Sequence, residues 1–259
     1  MARKKGGGGR GRQRAQQRAQ YDELDKYPVM PPHAFARIVR DKRTLNIIYQ
    51  IIEPPMTKKE QEQREEIMDI FIRSLTANIE EIDGNPEAYL RTAMDKVIKS
   101  YGMKITKKSK SKLFYYIRRD LIGYGQMDVL MNDANVEDIS LDGTGVPIFA
   151  YHRKFESVET TCVWNTDEEL ESYVIKLAQR CGKHISVADP LLDATLMDGS
   201  RIVMKLGREV STRGSAFCIR RFKDDPFSPA DIVAFRTMSS LMVAYLWICL
   251  LYTSDAADE

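Results

Sequence analysis

The 259-residue sequence contains no apolar run long enough to cross a membrane. Its longest apolar stretch, residues 238–252, is interrupted by Ser239 and Ser240. It falls short of the roughly 20 residues that a spanning helix needs. The basic N-terminus is not followed by an apolar segment, so it does not have the form of a secretory signal peptide. We therefore expect a cytoplasmic protein that reaches a membrane only through its partners.

The cysteines and histidines form no pattern that is typical of a zinc site. No CxxC pair occurs among the four cysteines, which are Cys162, Cys181, Cys218 and Cys249. The three histidines are His33, His152 and His184, and no two of them lie at the spacing of a zinc-ligand pair. We expect no metal site, and thiols that stay reduced in a reducing compartment.

A phosphate-binding loop is also missing. The pattern G-x-x-x-x-G-K-S/T does not occur, and the only Gly-Lys pair, Gly182-Lys183, is followed by His184. Such a loop needs a run of cradling backbone amides, a lysine and a hydroxyl that binds magnesium. We expect that these 259 residues alone do not hydrolyse ATP at a useful rate.

The charges are balanced overall but unevenly placed. The net charge is +2, with 29% charged and 43% apolar residues, which is typical of a globular domain. Residues 1–20 are rich in Gly, Arg and Gln and have almost nothing to bury, so they predict a disordered basic tail. Tails of this kind can bind RNA, but this one lacks aromatic stacking positions. We do not expect nucleic acid as a partner.

Residues 21–125 are predicted to be helical. Thr57 and Glu60 form a capping-box pattern, and Asn85-Pro86 is typical of a helix start. After the helix start at Thr57, apolar residues recur at helical spacing, at Ile67, Ile70, Phe71, Leu75, Ile79 and Ile82. A third helix is predicted to end near Gly123, with one basic side formed by Lys107, Lys108, Lys110, Lys112, Arg118 and Arg119. This side could meet acidic lipid headgroups or an acidic partner, or simply face solvent.

The spacing of the apolar residues changes at about residue 126 from a helical to a strand-like period. Residues 126–227 therefore predict a strand-rich unit with one covering helix. Strands are expected at 138–141, 148–152, 157–164, 201–206 and 216–222, and a capped helix is expected after Thr166. Ser228-Pro229 predicts the start of a long helix over 228–249. Its inward face should include Ile232, Phe235, Met238, Leu241, Met242 and Tyr245. The predicted fold class is α+β.

Three segments together resemble one protein family. They are GYGQMDVLMNDANVEDISLDG at 123–143, DGSR at 198–201 and RGSAFCIRRF at 213–222. Residues 115–247 resemble the part that precedes the motor domain in type II/type IV secretion-system ATPases, particularly their archaeal pilus, archaellum and secretion branch. Met197 departs from the pattern, because the family commonly has a proline before the Asp-Gly pair. The region before residue 110 matches only weakly.

The resemblance implies that arginines of this domain reach the nucleotide. By position in the motifs, that role falls on Arg201, Arg213 and Arg220. Arg221 is the fourth arginine of these motifs, but adjacent strand residues point to opposite faces of a sheet, which argues against a shared role with Arg220. A guanidinium can hold two phosphate oxygens and stabilise the charge that develops in phosphoryl transfer. Without the resemblance, these arginines would be interpreted as surface or ion-pair residues.

The resemblance also implies the partners and cofactors of a complete protein. It implies a helix leading into a RecA-like motor domain, ATP and Mg²⁺ as ligands of the full-length protein, and assembly into a hexamer. It further implies a polytopic membrane platform protein as partner, at the inner face of the cell membrane. Residues 250–259, LLYTSDAADE, resemble translated sequencing-adapter sequence. We therefore expect the natural protein to continue beyond about Trp247 into a phosphate-binding strand and loop.

Two other functions fit the same residues. One is a stand-alone, non-catalytic adaptor of the same machine. The other is a nucleic-acid-binding module that uses the basic tail and the basic side of the third helix, and its affinity would fall steeply with salt.

Overall fold

The computed structural model describes residues 20–74, 85–222 and 227–255. The basic tail predicted at 1–20 lies outside the described residues except for Gln20, and so does the end of the C-terminal tail, 256–259. By its internal contacts the chain divides into two compact units, residues 1–221 and 222–259. The fold class is α+β, as predicted.

The first unit begins with three strands, so the prediction of helices from residue 21 onward is wrong for this segment. The strands β1 (Tyr21–Met30), β2 (Ala34–Asp41) and β3 (Ile47–Ile52) pair antiparallel in chain order. Their signal is the strict alternation in β2, where Ala34, Ala36 and Ile38 are fully buried and the residues between them are not. An alternation of period two is the pattern of a half-buried strand.

Three helices follow, and each begins at a predicted or recognisable cap. Helix α1 (Lys58–Ser74) starts behind the Thr57–Glu60 box, in which the Thr57 amide donates to Glu60 Oε2 at 2.8 Å. Asn85 caps α2 (Pro86–Ser100), and Thr106 caps α3 (Lys107–Leu121). Their shared core consists of Ile67, Phe71, Leu90, Met94, Leu113 and Ile117. The predicted core positions Leu75, Ile79 and Ile82 lie outside the described residues.

The rest of the unit completes one mixed sheet. After the short helix α4 (Asp128–Met131) come β4 (Val136–Leu141), β5 (Pro147–His152) and β6 (Glu156–Val163), and then helix α5 (Asp167–Arg180). The last strands are β7 (Leu191–Thr195), β8 (Arg201–Lys205) and β9 (Ala216–Arg220). The nine described strands run in the order β1-β2-β3-β6-β5-β4-β9-β8-β7.

Only one junction in this sheet is parallel. All the other pairs of neighbouring strands are antiparallel, whereas β3 and β6 run parallel and pair at just two positions, Ile48 with Glu159 and Tyr49 with Thr160. The main core lies between the sheet and α5, whose residues Leu170, Val174 and Leu177 are buried. One face of β7, β8 and β9 is thereby left to solvent.

The second unit contains two helices, where a single long helix over 228–249 was predicted. Helix α6 (Pro229–Ala234) starts at a capping box of Ser228 and Asp231 and ends at Phe235. The next residue, Arg236, has a positive φ of 58°, which no continuing right-handed helix allows. A second helix, α7 (Ser240–Asp255), then begins.

The predicted inward face of this segment is not buried. Leu241 is 81% exposed and Tyr245 67%, and α7 is apolar on all sides rather than on one stripe. None of the helices in the described ranges combines the length and the apolarity that crossing a membrane requires.

Candidate functional site

Two of the predicted arginines lie side by side on the open face of the sheet. Alternate residues of β8 and β9 point to the core, where Ile202, Met204 and Ile219 are buried. The residues between them are exposed, and these include Arg201 and Arg220. In the antiparallel register Arg201 lies directly opposite Arg220. Opposed side chains start about 5 Å apart at Cβ, so the structure places the bases of these two side chains next to each other.

The charge of this arginine pair is only partly balanced. Asp138 of β4 lies opposite Arg220 and accepts a hydrogen bond from its Nε at 3.1 Å. The side chain of Arg220 nevertheless remains 80% exposed. On the other side, Thr195 of β7 lies opposite Arg201. Like charges at opposed positions destabilise a sheet, so an anion held by both guanidinium groups would relieve the repulsion.

Arg213 lies elsewhere, in the connection between β8 and β9. Its side chain is exposed, and β9 runs from the end of this connection to Arg220. Five strand residues rise about 13 Å, so Arg213 and Arg220 sit at opposite ends of β9. The structure therefore does not bring Arg213 to the arginine pair within one chain.

Arg221 faces away from Arg220, because adjacent residues of a strand point to opposite faces of the sheet. Its Nη1 donates to the backbone carbonyl of Val136 at 2.9 Å and to that of Asp133. Its own amide donates to the carbonyl of Glu137 at 2.9 Å. Arg221 thus holds the start of β4 in place, which gives it a structural role in this chain.

The segment 123–143 contacts the segment 213–222 at Arg213. Gly143 has a φ of +129°, and a Cβ atom there would lie 2.3 Å from the carbonyl oxygen of Arg213. The next amide, that of Thr144, donates to this oxygen at 2.9 Å. Glycine at 143 is therefore required by the close approach of the Arg213 backbone, and the Asp-Gly turn positions that arginine.

The start of α5 contacts the β8–β9 connection, which carries Arg213. Thr166 caps the helix by accepting from the amide of Glu169 at 3.3 Å. Arg208 Nε lies 2.6 Å from Asp167 Oδ2, and this hydrogen bond holds the pKa of Asp167 below its ordinary value. Asp167 also lies against Gly214, because a Cβ atom added to Gly214 would be 3.1 Å from Asp167 Oδ1. The β8–β9 connection that carries Arg213 is therefore anchored to α5.

A buried polar network, which the sequence did not reveal, lies on the other side of the sheet. The hydroxyls of Tyr27 and Tyr49 both donate to Asp133 Oδ2, each at 2.6 Å. His152 Nδ1 accepts from the amide of Lys154 at 3.1 Å, so its Nε2 carries the proton and donates to the Tyr27 oxygen at 2.9 Å. Burial raises the pKa of both tyrosines and lowers that of His152. The members lie up to 125 positions apart, so no local motif could have indicated the network.

Curated relatives of this chain come from Methanocaldococcus jannaschii, and they are described only as uncharacterized proteins. One is 40% identical over 164 residues, which is 63% of this chain and 65% of the relative. A second is 32% identical over 231 residues, or 88% of this chain and 41% of the relative. A third is 31% identical over 139 residues, or 54% and 19%. The chain thus spans less than two thirds of the length of each of these relatives.

No protein-family model matches the chain. Among solved structures, the VirB11 ATPase of the Brucella suis type IV secretion system, in complex with sulphate, aligns with a TM-score of 0.34 and 19% identity. That alignment covers 42% of this chain and 33% of the ATPase. A likeness this weak carries no argument about the function of the chain.

Proposed function

We propose that this chain supplies the N-terminal, nucleotide-contacting part of a hexameric secretion or filament-assembly ATPase. The motifs at 123–143, 198–201 and 213–222 support the choice of family through their resemblance to it. The observation that carries the role is the exposed cross-strand pair of Arg201 and Arg220, with Asp138 beside it.

The chemistry of the pair suits phosphate. Each guanidinium offers parallel N–H donors that fit two phosphate oxygens, and two adjacent guanidinium groups offset more than one negative charge. The carboxylate of Asp138 holds Arg220 from one side and leaves most of its side chain accessible. In this proposal ATP with Mg²⁺ supplies the reacting phosphoryl group, and Arg201 and Arg220 bind and orient its oxygens. The described residues contain no group of three or more His, Cys, Asp or Glu that could hold a metal.

The helical region is proposed to meet the membrane platform, with a smaller basic surface than the sequence indicates. Lys112 pairs with Glu60 at 2.8 Å, and Arg119 donates to both oxygens of Glu53, each at 2.8 Å. These residues of α3 bind within the chain. Lys107 and Lys108 at the start of α3 remain exposed and are the residues available to an acidic partner.

The test uses the longer protein in which this chain precedes a motor domain. We expect Arg201→Ala and Arg220→Ala each to lower ATP turnover by about 10²-fold or more, because each removes a charged phosphate contact. The matched control is Lys205→Ala, which removes an exposed cation from the other end of β8. Unchanged turnover in both arginine variants, with the fold intact by circular dichroism, would refute the proposed role.

A non-catalytic adaptor of the same machine is the second candidate. An adaptor would bind the platform or the motor without nucleotide. Co-purification with the platform protein that is unaffected by ATP and by Arg220→Ala would support this function over the first.

A further inference from the structure

A cavity lies between the helical layer and the β1–β2 turn, and its lining does not include the arginine pair. The cavity has a volume of about 690 Å³. Residues of α2, of α3 and of the turn at Pro31–His33 line it. This volume lies within the range of small-molecule sites, which is about 300–1,000 Å³.

The lining combines apolar walls with a cationic rim. Met30 and Phe114, which are partly buried, contribute apolar surface. Arg91 and Lys107 stand at the rim and are exposed. An apolar body with one charged group is the kind of ligand that such a lining suits.

The charges of the lining do not cancel. It includes four cations, Arg91, Lys107, Lys110 and Arg118, and one carboxylate, Asp95, so the difference is 4 − 1 = +3. Asp95 pairs with Lys110, and Arg118 is balanced from outside the cavity by Asp128 at 3.4 Å and Glu87 at 3.7 Å. Arg91 and Lys107 have no carboxylate partner among the residues that the structure describes.

The surroundings of these two cations leave their charges without a neutralising carboxylate. The Arg91 guanidinium lies over the Phe114 ring, 4.4 Å from its centroid. Lys107 is the first residue of α3, and the first turn of that helix contains no acidic residue. A lysine at the positive end of a helix dipole is unfavourable. A bound anion would offset both this arrangement and the charge of Arg91.

We propose that this cavity binds a small organic anion, with its apolar body against Met30 and Phe114 and its anionic group at the rim near Arg91 and Lys107. The anionic group is of the phosphate or sulfonate type, which accepts hydrogen bonds from several cationic donors at once. The proposal is independent of the nucleotide role of Arg201 and Arg220, because it involves different residues on different elements.

The experiment compares two fluorescent probes on the whole chain. The first is anilinonaphthalene sulfonate, a flat aromatic body with one anionic group, and the second is its neutral analogue, phenyl-naphthylamine. The neutral probe reports binding to exposed apolar surface such as that of α7, so the difference between the two isolates the contribution of the anion. Dissociation constants are measured at one fixed ionic strength, because salt screens exposed charges.

Two pairs of variants supply matched controls. Lys107→Gln removes a cation that lines the cavity, and Lys108→Gln removes the next residue, which is equally exposed and does not line it. Arg91→Gln and Lys96→Gln form the same comparison on α2. We expect each lining variant to weaken the sulfonate probe by roughly five- to tenfold and each control by less than about twofold. The neutral probe should bind all four variants as it binds the unaltered chain.

Three results would overturn the proposal. The first is a sulfonate probe that binds no more tightly than the neutral one. The second is an equal loss in Lys107→Gln and Lys108→Gln, which would indicate a general surface-charge effect. The third is a lining variant that weakens both probes alike while circular dichroism shows an intact fold.

Discussion

At the scale of single residues, the backbone contact between Gly143 and Arg213 connects a turn to a predicted functional arginine. The turn and the arginine are 70 positions apart in sequence, yet a single methyl group would collide with the Arg213 carbonyl. The position of Arg213 therefore depends on the absence of a side chain at residue 143.

Gly143→Ala tests this dependence. We expect the free energy of unfolding to fall by about 2 kcal/mol or more. The added Cβ must displace the Arg213 backbone, and alanine must also adopt the positive φ of this position. Gly145→Ala is the control, since its φ of +75° is also positive but a Cβ there meets nothing within 4 Å. Its cost should be about 1 kcal/mol, the strain of the backbone alone. Equal losses in chemical denaturation would contradict the close-contact explanation.

At the scale of elements, one carboxylate joins the start of α1 to α3. Glu60 Oε2 accepts from Lys112 Nζ of α3 and from the amide of Thr57, each at 2.8 Å. The hydrogen bond from Lys112, followed by that from the Thr57 amide, lowers the pKa of Glu60 from 4.5 to about 2. The carboxylate thus caps one helix and binds a second.

This depressed pKa predicts how stability depends on pH. The unfolded chain takes up the Glu60 proton at a higher pH than the folded chain, so the contribution of Glu60 is complete above pH 4.5 and is lost as the pH falls toward 2. Glu60→Gln should reduce stability at neutral pH by about 1 kcal/mol, the typical value of a helix cap. It should also flatten the loss between pH 4.5 and 2, measured by denaturation at each pH. Glu62→Gln, on the same helix and outside the capping box, should leave that slope unchanged.

The same scale shows how far the sequence could predict the fold. Caps at Thr57, Asn85 or Thr166 depend on side chains a few residues away, and such local signals predicted most of the helices. The strands from 136 to 163 were also predicted, because β-rich runs alternate there with turn residues. Strand β1 was missed because it contains four charged residues and a proline, a composition typical of a sheet edge rather than of a strand interior. The break after Phe235 was missed because nothing in its sequence demands a positive φ at Arg236.

The candidate site was only partly predictable for a related reason. The family resemblance selected Arg201, Arg213 and Arg220 by their positions in motifs. Which of them lie together depends on the register of β8 against β9, and that register is set by the connection between the strands rather than by the arginines. The pairing of Arg201 with Arg220 and the separation of Arg213 therefore emerged only from the structure.

At the scale of the whole molecule, the buried apolar residues are concentrated in one unit. All members of the three core clusters lie between residues 24 and 219. The second unit, by contrast, has exposed apolar residues along α7.

This distribution predicts that residues 1–221 fold by themselves. We expect a protein that ends at Arg221 to unfold cooperatively, with the same denaturant midpoint as the whole chain, because it retains every described core residue. Unfolding followed by tryptophan fluorescence suits the shortened protein, which keeps the buried Trp164 and loses Trp247. A midpoint that shifts markedly to lower denaturant would contradict the independence of the first unit.

The parallel junction between β3 and β6 is the pairing with the fewest partners in the described sheet. Its ladder consists of two residue pairs, and the Tyr49–Asp133 hydrogen bond spans the same boundary. A sheet with such a narrow connection is expected to exchange its amide hydrogens in two cooperative groups. Amides of β1, β2 and β3 would exchange through a partial opening, while those of β4, β8 and β9 would exchange only through global unfolding. The arginine pair would then stay in place while the N-terminal strands open and close.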